Sequence, residues 1–340
     1  MRHGLQPVAA TDRMLRRRQL LRLCGGPLAA GVATLGTAAA ALAEAAEAAD
    51  WPAGPLHLVV AYPPGGVSDA AARALAEPLS ARLGVPVLVE HRAGAGGAIA
   101  LATLARAAAD GQTLVFSAIS PLTSPESDAP GTAALRAQLA PVMSVMATPV
   151  LVAGTSALAG DDFAALLAAA RRPEGLRWAT SGPRTVGHRV LEAVLRAGGG
   201  RITHVPYKGG GQQITDALGG QFEVLSTNVG PQQLAHCQAG RLKPLAVGAP
   251  ARLPVLPQVP TLAALGMPQA NLVSLFGLFA PAGMPAARLR RLNDELNRAL
   301  RQPSLRAALQ AADNLPTGGS AEDFARRIDE EAAQRARTGT

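Results

Sequence analysis

Aromatic side chains are scarce in this 340-residue chain, at 3% (two Trp, two Tyr and six Phe), which argues against the base-stacking platforms of single-strand nucleic-acid binders. Cysteine is nearly absent. Cys24 falls in a leader segment described below, so Cys237 stands alone in the rest and has no internal disulfide partner. The six histidines are scattered without metal-like pairs, so a zinc site is not expected. Beyond residue 43 no apolar run approaches the length and hydrophobicity of a membrane span. There is no Gly-x-Ser-x-Gly elbow, no HExxH helix and no glycine-rich loop ending in Gly-Lys-Ser/Thr.

What is present begins with an export signal. Arg16, Arg17 and Arg18 precede Gln19-Leu20-Leu21 in a twin-arginine pattern, and Leu28 to Leu42 is an uncharged run rich in Ala and Gly. That run is too short and too weakly apolar to span a bilayer. Ala41-Leu42-Ala43 offers small residues for a signal peptidase, so residues 1–43 are expected to be removed. Met14 is an alternative start, and a retained anchor is the competing reading. The segment holds six basic residues and one acidic residue, leaving 26 basic and 23 acidic groups. The net charge of +8 thus falls to +3 and carries no nucleic-acid signature.

The remaining residues, about 300, suffice for two lobes. Short apolar runs alternate with amphipathic stretches, the pattern of parallel α/β layers. Strands are expected at Leu56–Ala61, Val87–Val89, Thr113–Ser117, Val150–Ala153, Leu176–Thr180, Ile202–Tyr207, Phe222–Ser226 and Leu242–Val247. A first helix carries Ala72, Leu75, Leu79 and Leu83, closes at Gly84, and should bend at Pro78. Others are expected near 188–197, 211–218 and 231–239, with Asp161 or Asp162 capping one over Phe163–Leu167. Residues 120–139 read as loop, Leu272–Phe279 as an apolar run stopping at Pro281. The tail is helical, with Ser320 and Asp323 approximating a capping box. If that tail packs back on the first lobe, the chain crosses between lobes near 150–155 and 275–281, and a ligand would sit between them.

Three loops can carry chemistry. Tyr62-Pro63-Pro64-Gly65-Gly66-Val67-Ser68-Asp69 joins a strand to a helix, so helix N-terminal amides can face an anion. Gly65 and Gly66 allow close backbone approach, and the prolines stiffen the path. Ser68 or Asp69 can cap the helix; Asp69 can instead accept a hydrogen bond from a ligand. A plain strand-to-helix turn explains the same spacing. Gly94-Ala95-Gly96-Gly97 has a similar setting but lacks the dinucleotide fingerprint. In Thr180-Ser181-Gly182-Pro183-Arg184-Thr185, hydroxyls and Arg184 can meet a carboxylate, while His188 opens the next helix either as ligand contact or as packing. Ser68 beside Asp69 does not make a triad.

These residues carry a resemblance. Leu58–Gly66 with Asp69 and Arg73, Val89–Gly97, Ala109–Leu114, His204–Gly210, Thr215–Gln221, Leu256–Thr261 and Gly277–Gly283 resemble, in order and spacing, the tripartite tricarboxylate transporter receptors, also called the Bug or TctC family. The resemblance spans about residues 54 to 330. It implies a two-lobed α/β periplasmic binding protein of the type II, Venus-flytrap kind, with a mostly parallel sheet in each lobe and two crossovers. Lobe 1 would comprise 54–152 plus 278–340, and lobe 2 would comprise 153–277. Such a receptor captures a small organic carboxylate and passes it to membrane permease subunits. It is expected to be a monomer, without catalysis, cofactor, metal or nucleic-acid partner.

Carried onto this sequence, the ligand contacts are Tyr62, Pro64, Gly65, Gly66 and Asp69 from the first lobe, and Ser181, Gly182, Thr185 and His188 from the second. Ser68, Ser120, Arg184, Thr227 and Asn228 join them as further candidate contacts. Two departures bear on selectivity. Thr227 stands where the family commonly has an acid, and Pro183 and Arg184 replace small residues. Losing an acid and gaining a base favours a ligand with a second acidic group over one bearing an amine. On that reading Arg184→Ala weakens dicarboxylate binding by about 1.5–3 kcal/mol. A receptor signalling to a membrane sensor, and a serine hydrolase using Ser68 or Ser181, are the alternatives.

Overall fold

A computed structural model describes residues 51–125 and 131–338, excluding the side chain of Thr338; the expected export segment, residues 1–43, lies outside the described residues. The apolar run after Pro55 is β1 (Leu56–Val60), which pairs in parallel with β2 (Val87–His91) and β3 (Thr113–Ala118). Between β1 and β2 runs α1 (Val67–Leu83), burying Ala72, Leu75, Leu79 and Leu83 at helical spacing. It stops at Gly84, which takes φ 72° and donates its amide to the Ser80 carbonyl. A 3₁₀ turn at Ala95–Gly97 leads into α2 (Ala98–Leu104).

After β3 the structure corrects the sequence pattern. Residues 120–139 contain α3 (Ser120–Thr123) and α4 (Thr132–Ala137). One buried turn such as α3 is too short for periodicity to register. The strand expected at Val150–Ala153 in fact begins at Leu139, as β4 (Leu139–Gly154). Pro141 and Pro149 read as strand breakers, yet register shifts against the neighbouring strand at 141–143 and 144–146 let the ladder continue.

The chain then alternates α5 (Phe163–Ala170), β5 (Leu176–Thr180), α6 (Val186–Gly198), β6 (Ile202–Pro206), α7 (Gly210–Leu218), β7 (Val224–Asn228), α8 (Pro231–Gln238) and β8 (Lys243–Gly248). It returns through β9 (Val273–Pro281), α9 (Ala286–Leu300), α10 (Pro303–Gln310), the short β10 (Leu315–Pro316) and α11 (Ala321–Thr338). Asp162 caps α5 by accepting from the Ala165 amide, and Ser320 and Asp323 exchange hydrogen bonds at the start of α11.

The sheet is mixed, in the order β2-β1-β3-β9-β4-β7-β5-β6, with β8 and β10 also paired to β4. Its outer strands are parallel, whereas β4 and β9 run antiparallel to their neighbours. One strand belongs to two sections. Residues 139–149 of β4 pair with β9, and 150–154 pair with β7 and β8. The second section has a core on each face, one around Trp178, Leu166 and Val190, the other around Ile214, Phe222 and Leu225. In the first section Leu58, Leu75 and Phe116 are buried completely. Phe324 pins α11 to it, with its ring centroid 5.2 Å from that of Phe279. Gly277 leaves room for that ring, since a Cβ there would lie 2.2 Å from Phe324.

Candidate functional site

The carboxyl ends of β1, β3, β5 and β7 converge on a narrow cavity of ≈ 40 Å³, enough for a few ordered waters or one end of a small molecule. Eight of the fourteen expected site residues line it: Tyr62, Gly66 and Ser68 after β1, Ser120 after β3, Ser181 and Thr185 after β5, and Thr227 and Asn228 at the end of β7. Four helices of at least eight residues present their first turns here: α1 with Gly66–Ser68, α6 with Thr185–Gly187, α7 with Gly210, and α8 with Gln233. Each helix N-terminus carries roughly half a positive charge together with unused amide donors. No Lys, Arg, His, Asp or Glu side chain is among the lining residues. The walls are hydroxyls, amides, backbone and two aromatic rings.

The rest of the expected set lies around the cavity. Pro64 and Gly65 sit in the same loop as Gly66 but turn outward. Asp69 is buried and its oxygens are engaged: Oδ2 accepts from the Gly65 amide at 2.9 Å, and Oδ1 meets Arg73 Nε and His91 Nε2 at 2.8 Å. Burial raises its pKa, but the Gly65 amide, His91 and Arg73 outweigh that and leave it below the ordinary value. Asp69 is also not the helix cap expected for it or Ser68. Gly66 occupies that position without a side-chain bond, and Asp69 instead reaches back from the first turn to brace the loop.

In the second loop Thr185 is the N-cap of α6, accepting from the His188 amide, and its hydroxyl donates to the Gly182 carbonyl at 2.7 Å. Gly182, at φ +123°, packs on the Tyr207 carbonyl and the Gly96 amide. Arg184 takes a left-handed φ of +62°, and its amide donates to His188 Nδ1 at 3.2 Å. Neither Arg184 nor His188 is in the cavity lining. The His188 ring stacks on His204 at 4.2 Å. His204 Nε2 lies 2.7 Å from Thr180 Oγ1, which also accepts the Gly182 amide. Burial, then repulsion from His188, takes the His204 pKa down to about 4, partly opposed by Glu192.

Several lining residues escaped the sequence reading. Gly210 lies within the quoted His204–Gly210 run, where a glycine pair before a helix was an available signal. Gln233 follows Gly230-Pro231, a legible helix start. Ser274 and Phe276 come from inside β9, which reads as core, and nothing local marks them. Ser274 Oγ donates to Asn228 Oδ1 at 2.6 Å, orienting that amide so that its nitrogen is the free end. Ser226 Oγ donates to the Gly187 carbonyl at 2.6 Å and accepts from Trp178 Nε1 at 3.0 Å, fixing the wall behind α6. Tyr62 lends its ring, with the hydroxyl donating to the Gly96 carbonyl at 3.0 Å. Burial pushes that phenol up to about 12, partly offset by hydrogen bonding to Ser117 and the Ala118 backbone.

The walls touch outside the cavity. A Cβ on Gly209 would lie 2.3 Å from Pro63 Cδ, one on Gly211 3.0 Å from the Pro64 carbonyl, and one on Gly96 3.0 Å from the Pro183 carbonyl. The arrangement is that of a closed cleft. Among the described residues no cluster of His, Cys, Asp or Glu is suited to a metal, and no helix is long and apolar enough to cross a membrane.

A family model described as the tripartite tricarboxylate transporter family receptor matches residues 71–338. The chain is 35% identical over 282 residues to Protein BugT of Bordetella pertussis, covering 82% of this chain and 86% of that protein. A solved structure described as a periplasmic transporter is 32% identical with TM-score 0.78, over 85% of this chain and 97% of that one. MatC from Rhodopseudomonas palustris, solved with bound malate, is 26% identical with TM-score 0.77, over 84% and 98%. A second R. palustris protein, solved with adipate, is 29% identical with TM-score 0.78, over 85% and 97%.

Proposed function

This chain belongs to the tripartite tricarboxylate transporter receptor family, whose fold is the two-lobed periplasmic binding protein, and we propose that it captures a small organic carboxylate between its lobes and delivers it to membrane permease subunits. The observation that carries this reading is the convergence of four helix N-termini on a cavity whose lining holds no charged side chain. Amides and dipoles then stabilise the anion, so a carboxylate enters without a counter-ion side chain. The same lining offers no carboxylate for an ammonium, and Thr227 and the Asn228 amide present neutral donors. The ligand is therefore a carboxylate without an amino group, as malate and adipate are in the two R. palustris relatives.

Arg184 stands outside the lining, so we place the selectivity in Thr227, Asn228 and Ser274 instead. We place the lobe boundary where β4 parts from β9, so that 54–149 plus 273–340 form one lobe and 150–272 the other, a few residues from the 152/153 and 277/278 boundaries expected from the sequence. We propose that the protein acts in the periplasm as a monomer after residues 1–43 are removed. Receptor rather than hydrolase is the reading also favoured at Ser181, whose hydroxyl faces Gln213 Oε1 at 3.5 Å rather than a base. The test is calorimetry on protein isolated from the periplasmic fraction, titrated with malate, adipate and aspartate, with its N-terminus sequenced. Saturable binding of a non-amino carboxylate is expected. Preference for aspartate, or turnover of esters, would overturn the reading.

A further inference from the structure

Behind the uncharged cavity lies a buried cluster of charge. Arg189, on the first turns of α6, donates from Nη1 to Glu331 Oε1 at 3.0 Å, with its side chain only 6% exposed. The same Glu331 oxygen accepts from Thr123 Oγ1 at 3.1 Å. One turn further along α11, Arg335 is 1% exposed. Its Nη1 reaches the Ser120 carbonyl at 3.2 Å, Thr123 Oγ1 at 3.2 Å and Ser124 Oγ at 3.1 Å. Ser120 lines the cavity after β3, and Thr185–Gly187 line it after β5. One carboxylate therefore touches the supports of both walls.

Burying this cluster is costly. Desolvation lowers the Arg189 pKa, only partly offset by Glu331, and its Nε has no hydrogen-bond partner in the structure. An apolar trio of similar volume would stabilise the fold at least as well, and the best-attested use of such pairs is to fix register. We propose that Glu331 is a positioning residue that ties the Ser120–Thr123 wall to the Thr185–Arg189 wall, bonded directly to Thr123 and Arg189 while Arg335 holds Thr123 from the side of α11, and so sets how far the cleft is closed. The tie rests on reading the cavity as the ligand site, but its test needs no ligand.

Spin labels at exposed Thr103 and Lys208, in a Cys237→Ser background, report the separation of the two sections by pulsed dipolar spectroscopy. Glu331→Gln and Arg189→Gln should each shift the distances to longer values, and the double variant should add nothing further. If malate or adipate binds, each substitution should raise Kd about tenfold by depleting the closed population. In the unsubstituted protein, amides of 120–124 and 186–190 should exchange hydrogen with a common opening free energy. Unchanged label distances with only a lowered Tm, additive effects in the double variant, or unrelated exchange in the two segments would each overturn the tie. Failure of every carboxylate to bind, with the distances shifting as expected, would remove the ligand reading and leave the tie standing.

Discussion

At the scale of single residues, Asp69 shows how a side chain outside the cavity lining braces the loop that lines it. Its pKa is depressed in the folded state, so its contribution is present above the unfolded value, about 3.9, and is lost as pH falls through the lower folded value. Asp69→Asn should cost about 1–2 kcal/mol at pH 7, with the gap to the parent closing below about pH 4 in urea titrations. His204 moves stability with pH in the same direction, but in a higher pH window and because burial disfavours its charged form. Its folded pKa of about 4 lies below the usual 6.5, so folding is penalised progressively as pH drops between those values. His204→Gln should flatten the loss of stability over that window, by about 1–2 kcal/mol once solvent screening is allowed for. Arg184 is strained by its left-handed backbone. Arg184→Gly and Arg184→Ala remove the same side chain, and the glycine variant should be the more stable by about 1 kcal/mol in chemical denaturation.

At the scale of elements, the strand-to-helix loops were the legible part. Gly65-Gly66 and Ser181-Gly182 interrupt strong apolar patterns, so their position at strand ends could be read from residue order alone. Asp162 and the Ser320–Asp323 pair mark helix starts by local chemistry, and the structure has both. The front half of β4 could not be read in this way. Its prolines argue against a strand, and only the partner β9 supplies the bulged register that tolerates them. Ser274 and Phe276 were equally opaque, because they reach the cavity through a long-range crossing and not through any local signature. Element contacts also explain the glycine before α7. Gly209 is extended, at φ 167°, so alanine fits its backbone but not the 2.3 Å gap to Pro63. Gly209→Ala should wedge the walls apart and weaken carboxylate affinity about tenfold, with little loss of Tm. Equal affinity in calorimetry would mean the contact plays no part in closure.

For the whole molecule, β4 decides how the two sections share stability. A strand hydrogen-bonded along one half to β9 and along the other to β7 and β8 cannot melt in one section without fraying the other. Scanning calorimetry should therefore give a single unfolding transition, and two resolved peaks would show that the sections unfold independently. Bound ligand at a hundred times its Kd should raise that one transition's free energy by about 2.7 kcal/mol.

The same crossing has a modular consequence. Pro149 and Val273 are register partners on β4 and β9, so the excursion from Val150 to Leu272 leaves and re-enters at neighbouring rungs of one ladder. Adjacent rungs stand about 5 Å apart, which makes the excursion a cassette with both ends at one seam. Nature or an engineer can exchange it between relatives by two cuts, replacing three of the four helix ends that face the cavity while leaving the remaining fold and its tail helix in place.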